Sequence, residues 1–364
     1  MMVKRVLSLC SLVALVVTMS AAGAQARRTD DSLANAYRVR KLVSDVPGAA
    51  ASVDPNLVNA WGLAAGPTTP WWVADNGTNV STLYDGTGAT LPLVVKVKSA
   101  PTGTVFNGSS DFVVSHDGAS GPSLFLFSTE EGKIRGWNPG VTPPAPSTRS
   151  FVVANRSYRD ANYKGLAISS SPQGNLLYAT DFHNGRVDVF DAQLHVVLKG
   201  SFVDPTLPDG YGPFGIQALG GYIFVTYAKQ DADAGDEIAG PGLGFVDMYS
   251  TQGAFLGRVA SRHSLNAPWG LAWAPEGFGK FSGDLLVGNF GDGRIHAYEP
   301  QSGGGFLHRG VVRGKNSNII EIDGLWAIAF GNDAAAGPST SLYFTAGPDD
   351  EEHGLFGRID ALDS

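Results

Sequence analysis

Residues 268–298, PWGLAWAPEGFGKFSGDLLVGNFGDGRIHAY, hold three short apolar runs divided by glycine-rich breaks. Each run has the length of one strand and each break the composition of a turn, so the segment reads as an antiparallel meander. A meander this small cannot cover both of its own faces and needs copies on either side. The copies are present. Residues 163–190 read YKGLAISSSPQGNLLYATDFHNGRVDVF, and residues 61–84 read WGLAAGPTTPWWVADNGTNVSTLY. Residues 213–249 open with PFGIQALGGYIFVTY and close with LGFVDMY, and residues 323–359 open with DGLWAIAF. A weaker copy, with DFVV, SLFLF and GKIRGW, runs from 107 to 137. The leading glycines, Gly62, Gly108, Gly165, Gly215, Gly270 and Gly324, are 46, 57, 50, 55 and 54 residues apart. Repeats of about 40–50 residues with four strands each are the spacing of propeller blades. The expectation is an all-β chain, a six-bladed β-propeller of four-stranded antiparallel blades.

The six units cover residues 59–97, 107–154, 162–203, 212–259, 267–313 and 323–362. Residues 37–43, YRVRKLV, alternate apolar and basic side chains like a strand but precede the first unit. The last unit ends at its third strand, and an open edge there is a liability. The N-terminal strand is therefore predicted to close the ring, pairing with the strand that holds Arg358 and Asp360. Residues 37–364 are read as one propeller domain and 27–36 as a loosely held lead-in.

The chain begins as an exported one does. Lys4 and Arg5 precede an apolar run from Val6 to Met19, and Ala24-Gln25-Ala26 is a small-residue cleavage site, placing removal after Ala26. The run is too short to span a membrane comfortably. A secreted or periplasmic location follows, with no membrane span after cleavage. Cys10 lies within the removed segment, so the mature chain has no thiol or disulfide chemistry. Cleavage leaves 24 Lys and Arg against 34 Asp and Glu, a net charge of about −10. That acidity excludes nucleic acid as an expected partner. A monomer is expected.

No nucleophile elbow, HExxH, Walker A or dinucleotide glycine motif occurs, and the seven histidines show no metal-ligand spacing. The informative residues recur once per unit. Asn59, Asn107, Asn162, Asn266 and Asp323 precede the innermost strands and should ring the mouth of the central channel. Asp75, Asp181, His183 and Asn289 end second strands and should form a wider polar collar, although Asp, Asn and Gly there also suit plain turn chemistry. Convergent Asn and Asp oxygens, Asp323 with Asn107 and Asn266, could hold Ca2+ or could hold water and one another. The acidic stretch 229–242 starts like an EF-type loop, but Asp236 stands where glycine is needed and Gly242 where glutamate is needed. It reads as a solvated loop or a looser ion clamp. Trp61, Trp72, Trp269 and Trp326 read as core between blades.

YAKQDADAGDEIAGPGLGFVD, LNAPWGLAWAP, GDLLVGNFGDGRIHAYEP, IDGLWAIAFG and LYFTAGPDDEEHGLFGRI resemble segments of a conserved family of secreted bacterial proteins. The entry Pro-x-Gly-Leu-Ala and the third-strand pattern Arg-Ile/Val-x-x-Phe/Tyr are similar to NHL repeats. Both resemblances imply a six-bladed propeller outside the cytoplasm. A weaker one, to metal-dependent lactonase propellers, rests on Asp323-Gly324 and an Asn entry at 107 or 266. Asn59 stands where that group carries its first-blade glutamate. The expected function is a binding or scaffold module whose ligand, a small molecule, glycan or protein, sits at the channel mouth. The alternative is a calcium-dependent hydrolase with a site in the channel.

Overall fold

A computed structural model describes residues 33–171 and 174–362. The export segment, its cleavage site and most of the 27–36 stretch lie outside these residues. Each unit folds as the meander pattern dictates, its four blade strands antiparallel to their neighbours. The innermost strands are Ala60–Ala64, Pro101–Phe106, Tyr163–Ser171, Tyr211–Leu219, Pro268–Trp273 and Leu325–Phe330, in blades 1 to 6. They pack in that order around one axis, and the sixth returns to the first. The protein is a six-bladed β-propeller.

Backbone against backbone is how these inner strands meet. Gly62, Gly103, Gly165, Gly215 and Gly270 occupy one equivalent position, filled by Ala327 in blade 6. A Cβ on any of the five glycines would come within 2.8 Å of a backbone atom of the next blade. The glycines are there for space, since any side chain would push the blades apart. This register corrects two of the glycines read from sequence. Gly108 follows the inner strand of blade 2 instead of leading it, and Gly324 lies three residues before the equivalent Ala327. The inner strand of blade 2 is PTGTVF, which matches PWGLAW only at proline and glycine. The more apolar DFVV stretch contributes instead to a separate hairpin, Val113–His116 with Ala119–Pro122.

The ring closes as expected. Tyr37–Ser44 pairs antiparallel with Leu355–Ala361, Arg40 opposite Arg358 and Arg38 opposite Asp360. It is the outer strand of blade 6, and a short strand, Ser52–Val53, adds beyond it. Tyr37, Leu42 and Val43 are buried. The Tyr37 hydroxyl donates to the Phe278 carbonyl at 2.9 Å, and its ring stacks on Phe281. The closing strand thus clamps blade 5 as well as blade 6. Buried clusters fill the wedges between neighbouring blades, for example Trp72, Phe125 and Trp137 between blades 1 and 2.

Two outcomes follow. Deletion of residues 27–44 exposes a strand edge and removes burial worth roughly 5–9 kcal/mol from Tyr37, Leu42 and Val43. That is comparable with the whole stability of an ordinary domain, so calorimetry should show no cooperative transition at the wild-type temperature. An unchanged melting temperature would disprove the closure. Gly215→Ala places a methyl group against the Trp269 carbonyl and should cost about 1–3 kcal/mol in denaturant melts. Gly303→Ala, in open space, should change little.

Candidate functional site

The close inner ring leaves the axis to the side chain just before each glycine: Trp61, Thr102, Lys164, Phe214, Trp269 and Trp326. Four are aromatic and plug the channel. Trp61 stacks on Trp326 at 3.6 Å, while Trp269 and Phe214 meet Trp326 edge-on. The tryptophans read as wedge filling are therefore axis filling, except Trp72, which does lie between blades. Beyond the plug the channel narrows to about 30 Å3 among Leu63, Thr104, Ile216 and their neighbours, roughly one water. A ligand can use the mouth but not the bore.

Lys164 breaks the aromatic set. Its side chain is 1% exposed, and its ammonium sits 5.2 Å over the Trp61 ring. It pairs with Glu130 at 2.6 Å and Asp236 at 2.8 Å. Burial works against its charge, but Glu130, Glu237 and Asp236 together outweigh burial and hold its pKa above the usual range. It is a fixed cation rather than a nucleophile. Asn76 donates to Glu130 at 3.1 Å, and Asn59 donates to Glu351 and accepts from the Trp326 indole at 3.0 Å. Asn162 donates to the Gly235 carbonyl at 2.9 Å, which draws the acidic blade 4 loop over the mouth. That loop is a cap pinned by Lys164 and Asn162, not a free solvated tail.

Four carboxylates, Glu130, Asp236, Glu237 and Glu351, thus surround one ammonium. Burial pushes the half-buried Glu237 up to about 8 against the pull of Lys164. It also raises Glu351, against the Asn59 hydrogen bond and Lys164. Phe290, partly exposed, stacks on Trp326 at 4.1 Å and forms the apolar side of the mouth.

Of the residues expected at the mouth, Asn59 and Asn162 are there. Asn107 is a correction: it follows the inner strand and lies at the opposite end, bonded to Ser109, Asp111 and Ser123. Asn266 and Asp323 sit one residue earlier than Asn59 and Asn162 relative to the inner glycine position. The true equivalents are Ala267 and Gly324, which share positive φ with Asn59. Asn266 accepts from the Gly240 amide. Asp323 is exposed, accepts the Asp349 amide at 3.0 Å, and borders a cavity of about 600 Å3 beside the closing strand, with Lys41 and His353. Asp323, Asn107 and Asn266 therefore do not make one calcium site. Among the described residues, no three His, Cys, Asp or Glu side chains gather as a metal centre does.

The second-strand set behaves as turn chemistry. Asp75, Asp181 and Asn289 are fully buried. Asp181 accepts from the Asn184 amide at 2.9 Å and pairs with Arg186, and Asn289 donates to the Ser264 carbonyl. Asp75 accepts from Thr82, and burial raises its pKa well above the carboxylate range. His183 is exposed at the hairpin tip. Side chains alternate along a strand, so the axis-facing residues are the next ones: Asn76, Glu130, Phe182 and Phe290. The signal for Lys164 was legible, because YKGLA carries lysine where WGLA, PFGI and PWGLA carry an aromatic.

No family model matches the chain. It is 32% identical over 336 residues to uncharacterized protein R648 of Acanthamoeba polyphaga mimivirus, covering 89% of this chain and 80% of that protein. It is 32% identical over 339 residues to uncharacterized protein L690 of the same virus, covering 89% and 85%. Among solved structures, a Bacteroides thetaiotaomicron protein of unknown function aligns with TM-score 0.57 at 11% identity, over 89% of this chain and 76% of that one. A glucose dehydrogenase aligns with TM-score 0.54 at 13% identity, over 89% and 100%. At such identities the likeness concerns the fold alone.

The raised Glu237 pKa sets a pH test. Its protonated form is favoured by folding, so its contribution is whole below about 4.5 and lost as pH rises through about 8. Glu237→Gln should match wild type in melting temperature at pH 4 and exceed it increasingly up to pH 8–9. A gap independent of pH would show that Glu237 ionises freely.

Proposed function

This chain belongs to the family of the mimivirus proteins R648 and L690, and on that footing we propose that it is an exported propeller that binds an organic cation at the channel mouth. The observation that carries the reading is the imbalance there: four carboxylates face the single ammonium of Lys164. An amine or guanidinium that enters beside Phe290 meets Glu237 and Glu351 for charge and an aromatic edge for its carbon chain. Asn59 orients Glu351, Asn76 orients Glu130, and Asn162 holds the blade 4 loop that covers them. The location outside the cytoplasm rests on the basic, apolar and small-residue order of residues 1–26. This is a binding reading. Among the described residues no three His, Cys, Asp or Glu side chains gather as metal ligands, and Lys164 is held as a cation.

Spermidine is a suitable probe. Calorimetric titration of the purified protein should give saturable binding that releases protons below about pH 8, because an arriving cation favours ionised Glu237. Glu237→Gln with Glu351→Gln should weaken binding about tenfold or more and abolish the proton release. Calcium is titrated in parallel. Calcium bound through these carboxylates with no spermidine binding would overturn the organic-cation reading, as would the absence of any bound cation.

A further inference from the structure

A second polar cavity lies far from the axis, in the cleft between the outer strands of blades 1 and 2. It holds about 270 Å3 and is lined by Lys96, Lys98, Arg135, Arg149, Ser150 and Phe151. Four cations and no carboxylate line it, in a chain whose net charge is −8.

Arg135 is its anchor. It is more than nine-tenths buried, in the third strand of blade 2. Its Nε donates to Ser150 Oγ at 3.0 Å and one Nη to the Ser150 carbonyl at 2.7 Å. Ser150 Oγ in turn donates to the Lys96 carbonyl at 3.0 Å, which ties the two blades and fixes the guanidinium. The other Nη has no partner among the described residues. Arg258, by contrast, is paired with Asp204 and Asp247, and Arg156 with Asp188. The acid that acts on Arg135 at a distance is Glu131, which is itself paired with Lys133. A buried charge without a counter-ion is costly, and burial opposes the charge of Arg135.

The surrounding cations are placed by strand geometry. Val95 and Val97 point into the core, so Lys96 and Lys98 project together from the other face of the edge segment. The Lys96 amide bonds the Thr148 carbonyl at 2.9 Å, which brings Arg149 alongside. Phe151 is partly exposed, and its ring is held by His116 stacked at 4.1 Å.

We propose that this cleft is an oxyanion site for the phosphate or sulfate ester of a small organic molecule. The oxyanion takes the free Nη of Arg135 with Lys98 and Arg149, and a C–H face of the organic body lies against Phe151. The site is distinct from the acidic mouth and does not depend on the reading given to it.

The test is calorimetric titration of the purified protein with inorganic phosphate, inorganic sulfate, glucose 6-phosphate, glucose 6-sulfate and glucose, at equal ionic strength in chloride. At least one ester should bind saturably, more tightly than its inorganic ion, and glucose should not bind. Preference between the two esters identifies which oxyanion the cleft selects. Lys98→Ala with Arg149→Ala changes exposed residues, should melt at the wild-type temperature in chloride, and should weaken the ester about tenfold or more. Arg135→Met should remove binding altogether, and if it fails to fold the double variant still decides. Failure of all four anions to bind, or unchanged binding by the double variant, would overturn the proposal.

Discussion

Everything in this molecule hangs on how closely six inner strands approach one another around the axis. The approach is set by backbone, not by side chains, because Gly62, Gly103, Gly165, Gly215 and Gly270 leave no Cβ between neighbouring blades. The ring is therefore tight, and the residue before each glycine must share a narrow axis with five others. Trp61, Phe214, Trp269 and Trp326 fill it with stacked and edge-on rings, which is how aromatic side chains pack when crowded. A closed ring has no tolerance for a missing sector, so the N-terminal strand is part of the same constraint.

That crowding explains the chemistry at the mouth. Lys164 occupies an aromatic slot, and its ammonium has nowhere to go except upward over Trp61, into reach of Glu130 and Asp236. The polar sector comes from blades 1 to 3 and from the loops of blades 4 and 6. The aromatic plug comes from Trp61 of blade 1 and from blades 4 to 6. One lysine cannot neutralise four carboxylates, and burial responds by raising Glu237 and Glu351. The basic cleft at the rim is the electrostatic opposite, with a buried arginine that lacks an acid. The chain thus separates its charge, with an acidic centre on the axis and a basic pocket between two blades.

The repeated meander, the closing strand and the number of blades were all legible in sequence, because period-2 patterning, glycine turns and a fixed repeat are local properties. So was the position of Asn59 and Asn162 at the mouth. The inner strand of blade 2 was not, because PTGTVF lacks the aromatic that marks its counterparts and a more apolar hairpin lies beside it. Nor was the direction of the collar: Asp75, Asp181 and Asn289 recur like a site but are buried away from the mouth, one residue from Asn76, Phe182 and Phe290, which face the axis. A shift of one residue reverses a strand side chain, and sequence alone does not settle which parity meets the axis.

What the sequence by itself determined is therefore the architecture, since strand, turn and repeat are each specified within a few residues of one another. What only the tertiary structure decided is which residues from distant blades share a point in space. Lys164, Glu130, Asp236 and Glu351 come from blades 3, 2, 4 and 6 and share no local pattern. Lys98, Arg135 and Arg149 meet only because the edge of blade 1 is hydrogen-bonded to the chain entering the outer strand of blade 2. Both clusters arise from the closure of the ring, a long-range condition that no stretch of the chain encodes alone.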